Sequence, residues 1–339
     1  MALTDIWFLL IAVLWTGYFV LEGFDFGVGT LLRVLGHDDT DRRVLINTIG
    51  PVWDGNEVWL LVAGGATFAA FPLWYSSLFS GFYLALLLVL VALILRGVAF
   101  EFRGKIDSPR WRNTWDWVIV AGSAAPALLW GVAFGNIVHG VPLDAQHHFT
   151  GSFFTLLNPY ALLGGLATLS LFTFHGAVFL TLKTTEALRD RARTLSRALG
   201  GAAIVTGGGF LAYTAVEHGG WTWLTAAVAA LLLAAGVLFA AGERDGLAFA
   251  STAGAIIAVT GTLFWALYPD VLPSTTDPAF GLTTANASST PYTLRIMTWV
   301  AVVFTPIVLA YQAWTYWVFR KRISRSSIPA GGGLPATRR

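Results

Sequence analysis

Nine long apolar segments constrain this chain more than any other feature of its sequence. A transmembrane helix needs about 20 apolar residues, and each segment is long enough to cross a bilayer. Only helices and closed barrels can span lipid, and the alternating pattern of barrel strands is absent. Hydrophobic residues make up 56% of the chain and charged residues 12%, too few charges to cover a soluble surface. We therefore predict an all-α integral membrane protein of antiparallel helix bundles, with spans near 6–32, 52–72, 77–100, 115–138, 159–182, 198–216, 221–242, 246–268 and 297–319.

The basic residues predict the orientation of these spans. All but one of the 21 Lys and Arg residues fall in alternate connections, at the span ends beside them, or in the C-terminal tail, and the exception is Arg295. By the positive-inside rule the N-terminus lies outside and the C-terminus in the cytoplasm, which requires an odd number of spans. Residues 1–323 then form a single polytopic membrane domain. Residues 324–339, rich in Ser and Gly, are expected to be a disordered cytoplasmic tail.

Several ionisable side chains lie inside or at the ends of apolar spans, where they are energetically expensive and usually functional. Two pairs of carboxylates have i, i+3 spacing, which puts each pair on one helical face. Given the alternating directions of the spans, all these groups are expected in the cytoplasmic third of the first four. The residues are Glu22, Asp25, Asp54, Glu57, Arg96 and Asp116.

Three interpretations of this acidic group remain open from the residues alone. It is a salt-bridged rim placed by orientation, an entry for protons or ions, or an anchor for a partner subunit. Asp25 is the hardest to explain as a rim residue, because it lies well inside a long apolar segment.

The sequence is poor in ligands for metals and haem. It contains no Cys, which excludes disulfides, iron–sulfur clusters, Cys-based zinc sites and covalent c-type haem. His175 is the only histidine deep within a span, and an isolated histidine is more often a hydrogen-bonded packing residue than a ligand. We therefore expect no haem ligand, no metal site and no catalytic residue on this chain. The net charge of +2 is too small to indicate a nucleic-acid partner.

Six short motifs follow one another along the chain from the first span to the last. They are GFDFGVG at 23–29, WDGNEVW at 53–59, the stretch 96–103, WRNTWDW at 111–117, GVAFGN at 131–136 and MTWV at 297–300. In this combination the chain resembles subunit II of cytochrome bd-type quinol oxidases over nearly its whole length.

The resemblance implies a respiratory complex of the bacterial cytoplasmic membrane that oxidises quinol and reduces dioxygen to water with cytoplasmic protons. Subunit I, the expected heterodimer partner, carries two b-type haems, one d-type haem and the quinol site. Quinone and lipid are further expected partners, and small accessory membrane subunits remain open. The predicted proton route and the residues that support it are Asp25, Asp54, Glu57 and Asp116, with Glu22, Arg96 and Trp53. Trp59 is expected near the subunit interface or an oxygen path.

Two other functions are compatible with the same residues. A secondary transporter would use the acidic group as a coupling-ion site, although such sites usually lie near the midplane on broken helices. A scaffold subunit would use it only to hold its partner.

Overall fold

The computed structural model describes residues 2–329 and 334–335 of the chain, and most of these are helical. Short 3-10 helices occupy Phe153–Leu156, Pro278–Phe280 and Arg325–Ser327. The helices are α1 Leu3–Leu35, α2 Asp39–Ile49, α3 Trp53–Ala70, α4 Pro72–Gly81, α5 Tyr83–Phe102, α6 Pro109–His139, α7 Pro159–Lys183, α8 Glu186–His218, α9 Thr222–Ala241, α10 Asp245–Leu267 and α11 Pro291–Val318. The short strands are β1 Ile106–Asp107, β2 Asp270–Leu272, β3 Leu282–Thr283 and β4 Leu334–Pro335. Strand β1 pairs with β4, and β2 pairs with β3.

Helix α1 lies at the centre of the bundle and packs against α3, α6, α7 and α10. Its crossing with α7 is close enough to require glycine on both helices. A Cβ atom on Gly27 would lie 2.1 Å from the carbonyl oxygen of Phe172, and one on Gly176 would lie 2.6 Å from Gly27. In lipid no hydrophobic force drives helices together, so their association depends on close van der Waals packing. Small residues allow the backbones to approach closely enough for that packing. The crossing fixes where Glu22 and Asp25 of α1 lie along the length of α7.

Eight helices in the described part of the chain are long and apolar enough to cross a membrane, one fewer than the nine predicted spans. The difference is α3, which corresponds to the predicted span 52–72. Its first two turns carry Asp54, Asn56 and Glu57, and these polar side chains lower its mean hydropathy. The chain is thus a multi-pass helical membrane protein, and a ninth crossing by α3 stays a prediction.

Several boundaries differ from the sequence-based prediction. The span predicted at 198–216 begins earlier, at Glu186, because the basic stretch before it continues the helix with Leu188, Ala192 and Ser196 buried at four-residue intervals. The span predicted at 77–100 is divided between α4 and α5 at Phe82. Helix α2 was not predicted, and it begins where the Asp38 side chain accepts a hydrogen bond from the Asp41 amide at 2.8 Å.

The two ends of the bundle differ in chemistry. At one end, which we call the arginine-rich end, α2, the start of α8, the start of α10 and the segment after α11 meet through ion pairs. At the other end, the connection after α6 packs on the connection after α10, and Val141 donates to the Pro273 carbonyl at 3.0 Å. This separation agrees with the grouping of basic residues in alternate connections.

The described part of the predicted disordered tail has defined contacts. Arg325 pairs with Asp38 at 2.8 Å, and directly before the tail Ile323 donates its amide to the Lys183 carbonyl at 2.8 Å. Arg325, which pairs with Asp38 just before α2 and with Asp41 inside it, therefore holds the start of this tail on the arginine-rich end. Apart from Leu334–Pro335, the rest of that predicted tail lies outside the described residues.

Candidate functional site

Helix α1 places two carboxylates in its buried interior. Glu22 and Asp25 are both fully buried, one helical turn apart. Gly23 lies between them, and a Cβ atom there would approach the Phe172 ring to 2.8 Å. The glycine-rich sequence thus lets α7 pack directly against the turn that carries both acids.

A single arginine from α5 enters the same region. Arg96 is fully buried and pairs with Glu22, and its Nη2 lies 3.6 Å from Oε2 of Glu57 on α3. The guanidinium also lies over the Phe26 ring, 4.8 Å from its centroid. We call Glu22, Asp25, Glu57 and Arg96 the carboxylate cluster. It contains three carboxyl groups for one guanidinium, so pairing inside the cluster cannot neutralise all of them if each is ionised.

Asn56 connects Asp25 to helix α11, although the sequence pattern alone did not mark it as a site residue. Its Nδ2 donates to Asp25 Oδ2 at 2.7 Å. Its Oδ1 accepts from Gln312 Nε2 at 3.0 Å and from the Tyr316 hydroxyl at 2.7 Å. Asn56 is buried while its flanking residue Asp54 is exposed. A buried amide beside a predicted carboxylate pair was the available signal, but only the fold shows that α11 completes the contact.

The two tryptophans of the WDGNEVW motif have different neighbours. Trp59 donates its indole N–H to Gln312 Oε1 at 2.8 Å. Its ring packs directly on Gly17, where an added Cβ atom would lie only 2.2 Å from the ring. Trp53 packs against the Phe100 ring with centroids 5.1 Å apart. Trp53 thus braces α3 against α5, and Trp59 ties α3 to α11.

The acidic residues become less accessible from the start of α3 towards α1. Asp54 is exposed, the Glu57 side chain is 23% exposed, and Glu22 and Asp25 are 0% exposed. The structure therefore brings Glu22, Asp25, Glu57 and Arg96 together and leaves Asp54 at the surface one turn before Glu57.

Several buried atoms of the cluster have no hydrogen-bond partner within the described part of the chain. They are Glu22 Oε2, Asp25 Oδ1, Glu57 Oε2, and Nε and Nη1 of Arg96. Buried polar atoms are nearly always satisfied, by protein or by water. The cluster therefore retains unused hydrogen-bonding capacity that water or a partner can take up.

Asp116 lies in a separate ion-pair group. It is fully buried, with Arg103 Nε 2.6 Å from Oδ1 and Arg42 Nη1 3.0 Å from Oδ2. Arg103 also contacts Asp39 at 2.8 Å. We call Asp116, Arg103 and Arg42 the Asp116 clamp. The sequence grouped Asp116 with the other acids, and the structure divides them because two arginines from α2 and the end of α5 surround it.

Two further aspartates organise the arginine-rich end. Asp41 pairs with Arg191 at 2.7 Å, and Asp245 pairs with Arg189 at 2.5 Å and with Arg193 at 3.2 Å. In the connection before α2, the hydrogen bond from Arg325 lowers the pKa of Asp38. These pairs join α2, α8, α10 and the C-terminal segment.

His175 is held inside the bundle by hydrogen bonds and ring stacking. Its Nδ1 lies 2.7 Å from Thr252 Oγ1 and its Nε2 lies 3.3 Å from the Val20 carbonyl, so both ring nitrogens are engaged. The ring also stacks on Phe249 at 4.7 Å. These contacts are those of a hydrogen-bonded packing histidine, the role that the sequence predicts. In the described residues, no group of three or more His, Cys, Asp or Glu side chains is placed to hold a metal ion.

Comparison with known proteins identifies the family. The family described as cytochrome bd terminal oxidase subunit II matches residues 3–319. The chain belongs to this family. It is 44% identical over 329 residues to cytochrome bd ubiquinol oxidase subunit 2 of Bacillus subtilis, covering 95% of this chain and 97% of that protein. It is 40% identical over 362 residues to cytochrome bd-I ubiquinol oxidase subunit 2 of Escherichia coli K12, covering 95% and 96%.

A solved structure has the same fold. The bd oxidase from Geobacillus thermodenitrificans matches with a TM-score of 0.75 over 94% of this chain and 99% of that one, at 18% identity. The resemblance found in the six motifs is therefore confirmed. This member of the cytochrome bd subunit II family is a respiratory membrane protein and a subunit of a terminal oxidase complex.

Proposed function

We propose that this chain is the haem-free subunit II of a quinol:oxygen oxidoreductase in the bacterial cytoplasmic membrane. In this proposal it assembles with subunit I and supplies protons for the reduction of dioxygen through its carboxylate cluster. The haems of subunit I, two of b type and one of d type, supply electron transfer and the site of dioxygen reduction when bound. The names of the relatives from B. subtilis and E. coli, which specify ubiquinol oxidase subunits, support this assignment.

The reaction balance shows why a proton route is needed. Two quinols give up four electrons and four protons, and one dioxygen takes four electrons and four protons to form two waters. If the protons for water enter from the cytoplasmic side and quinol protons leave on the other side, turnover moves charge across the membrane without a pump. A chain that contributes to this reaction without a redox centre can do so by carrying protons.

One observation carries the proposal: two fully buried carboxyl groups, Glu22 and Asp25, and the buried guanidinium of Arg96 meet the partly exposed carboxyl group of Glu57. Removing charges from water is so unfavourable that buried ionisable groups in a membrane protein usually pair, change protonation or line an ion path. Glu22 and Asp25 are completely buried and each keeps one oxygen without a hydrogen-bond partner in the described residues. A carboxyl group in this setting can gain and lose a proton, as a relay requires.

The order of burial suggests the direction of the route. We propose that protons enter at Asp54, which is exposed at the first turn of α3, and pass to Glu57 and then to Glu22 and Asp25. Backbone N–H groups at a helix start favour a nearby negative charge, so Asp54 suits a collecting position. Arg96 limits the charge repulsion within the cluster, and Trp53 supports α3 beside it.

Asp116 has a different role in this proposal. Two arginines hold its carboxylate, and arginine does not release its proton at physiological pH. A carboxylate in that environment is a poor proton carrier and a good structural counter-ion. We therefore propose that the Asp116 clamp holds α2, α5 and α6 together around the entrance.

The experiment is Asp54→Asn in the purified complex, measured as oxygen consumption per mole of haem. An amide of the same shape preserves packing and cannot relay a proton, so we expect oxygen consumption to fall about tenfold or more. This is less than the ~100-fold that a positioned proton-transfer group contributes at the lower end of its usual range. Haem content should stay at the wild-type level. Glu101→Gln is the matched control, since Glu101 is an exposed carboxylate at the end of α5. Wild-type turnover per haem in Asp54→Asn would remove Asp54 from the route, and a parallel loss of haem and activity would indicate a scaffold role.

A further inference from the structure

Four polar side chains form a continuous hydrogen-bonded chain that ends on Asp25. It begins with Trp59 on α3, passes to Gln312 on α11, returns to Asn56 on α3 and reaches Asp25 on α1. The three distances are 2.8 Å, 3.0 Å and 2.7 Å. All three are ordinary hydrogen-bond lengths, so each group constrains the next.

The chemistry of the first residue sets the direction of the whole chain. The indole N–H of Trp59 can only donate, so the Gln312 group that faces it must be the carbonyl oxygen Oε1. The Gln312 amide then presents Nε2 to Asn56, whose facing atom must be the acceptor Oδ1. Asn56 consequently presents Nδ2, a donor, to Asp25.

The other contacts of Asn56 agree with this direction. The Tyr316 hydroxyl lies 2.7 Å from Oδ1 and donates to it. On the opposite side, Nδ2 lies 3.4 Å from the Leu21 carbonyl, which can only accept. Asn56 is fully buried, so water cannot easily supply an alternative set of partners. The amide is held in one of its two orientations.

This direction leaves one atom of Asp25 free to exchange a proton. Oδ2 receives the Asn56 N–H and is held as an acceptor, whether the carboxyl group is neutral or charged. Oδ1 has no hydrogen-bond partner in the described part of the chain. A proton on Oδ2 would point at an N–H group, whereas a proton on Oδ1 meets no donor there.

We propose that Gln312 and Tyr316 are positioning residues for proton transfer: through Asn56 they hold Asp25 Oδ2 as an acceptor, so that Oδ1 is the atom that gains and loses the proton. The proposal rests on the proposed function, because it matters for turnover only if Asp25 lies on the proton route. It also gives α11, a helix that is otherwise almost entirely exposed, a part in proton transfer.

The test uses the complete complex and two readouts, turnover per mole of haem and the infrared carbonyl band of protonated Asp25. Loss of the band in Asp25→Asn assigns it. Gln312→Met keeps the length of the side chain and removes both hydrogen bonds. We expect a shifted Asp25 band and turnover lowered about fivefold, the equivalent of one hydrogen bond of about 1 kcal/mol. Trp59→Phe should act in the same direction, and Trp314→Phe, at an exposed position of α11, is the matched control with wild-type values.

A second variant separates positioning from packing. In Gln312→Glu, the neutral carboxyl group can accept from Trp59 and donate to Asn56, which preserves the direction of the chain. The ionised group can only accept, which forces Asn56 to turn its Nδ2 away from Asp25. Turnover should therefore match wild type at low pH and fall as the new carboxyl group ionises, relative to wild type at each pH. A purely structural role predicts no such pH dependence.

Different results would overturn different claims. An unchanged Asp25 band and unchanged turnover in Gln312→Met, with slow turnover in Asp25→Asn, would reject the positioning role and leave the proton route intact. A flat pH profile of Gln312→Glu relative to wild type would also reject it. Wild-type turnover in Asp25→Asn would instead reject the proposed function itself.

Discussion

At the scale of single residues, two buried aspartates differ in their partners, and we propose that this difference separates a proton carrier from a structural counter-ion. Asp25 has an amide donor on one oxygen and no partner in the described residues on the other. Asp116 has an arginine on each oxygen, at 2.6 Å and 3.0 Å. Both residues are completely buried, so exposure alone does not separate them. Their partners do.

Asp116→Asn should therefore fail in a different way from Asp25→Asn. It leaves Arg103, whose side chain is only 5% exposed, without its main counter-ion. Breaking a buried pair by removing one partner costs about 3–5 kcal/mol, so we expect less assembled complex and a lower melting temperature. The complex that does assemble should turn over at nearly the wild-type rate per haem. Asp39→Asn is the control, because Asp39 is 43% exposed and such pairs contribute little. A stable Asp116→Asn complex with slow turnover would instead return Asp116 to the proton route.

At the scale of helices, the position of the carboxylate cluster depends on the close crossings of α7 with α1 and with α6. The α1–α7 crossing at Gly27 and Gly176 leaves no room for a methyl group on either helix. The α6–α7 crossing is similar, since a Cβ atom on Gly131 would lie 2.2 Å from the Gly164 carbonyl oxygen. Glycine in these motifs is required by backbone contact.

Gly27→Ala should consequently destabilise the subunit. Overpacking a close contact costs about 1–3 kcal/mol, and here the opposing atoms are backbone, which cannot move aside like a side chain. We expect a lower melting temperature of the complex and a lower yield of haem-loaded protein. Gly201→Ala is the matched control, because a methyl group at that position on α8 would have no neighbouring atom within 4 Å. Equal stability of the two variants would show that the crossing is not a close one.

Particular residues show how far the sequence predicts this structure. Periodic apolar segments with basic connections predict the helices and their order, since a bilayer leaves few alternatives. The pairing of Glu22 and Asp25 follows from helical spacing. The role of Asn56 does not, because it depends on Gln312 and Tyr316, more than 250 residues away in the chain. The division between the carboxylate cluster and the Asp116 clamp likewise depends on where Arg42 reaches, which no local pattern indicates.

At the scale of the whole molecule, ion pairs hold the arginine-rich end together, whereas α11 buries little of itself against the bundle. Asp41 and Asp245 join distant parts of the chain at that end. Helix α11, by contrast, has Leu294 as its only buried side chain, although Gln312 and Tyr316 face Asn56. Helix α3 carries Trp59 and Asn56 of the hydrogen-bonded chain to Asp25. In the predicted topology this helix crosses the membrane.

Single-cysteine labelling can test that crossing, because the natural sequence contains no Cys. His37→Cys reports on the connection before α2, and Ser76→Cys reports on α4, directly after α3. Both positions are exposed. A membrane-impermeant maleimide added outside spheroplasts should label Ser76→Cys and should label His37→Cys only after lysis. Labelling of both from the same side would show that α3 does not span, and that eight spans describe the chain.

The most direct test of the proton route is proton uptake during a single reaction of the reduced complex with dioxygen. A pH indicator follows the uptake while absorbance follows haem oxidation in the same sample. In Asp25→Asn we expect uptake to slow by about tenfold or more, again short of the ~100-fold typical of a positioned proton-transfer group. The electron-transfer steps that do not require a proton should keep their wild-type rates, and Asp39→Asn should match wild type throughout. Proton uptake at the wild-type rate in a fully assembled Asp25→Asn complex would contradict the proposal that the carboxylate cluster carries protons.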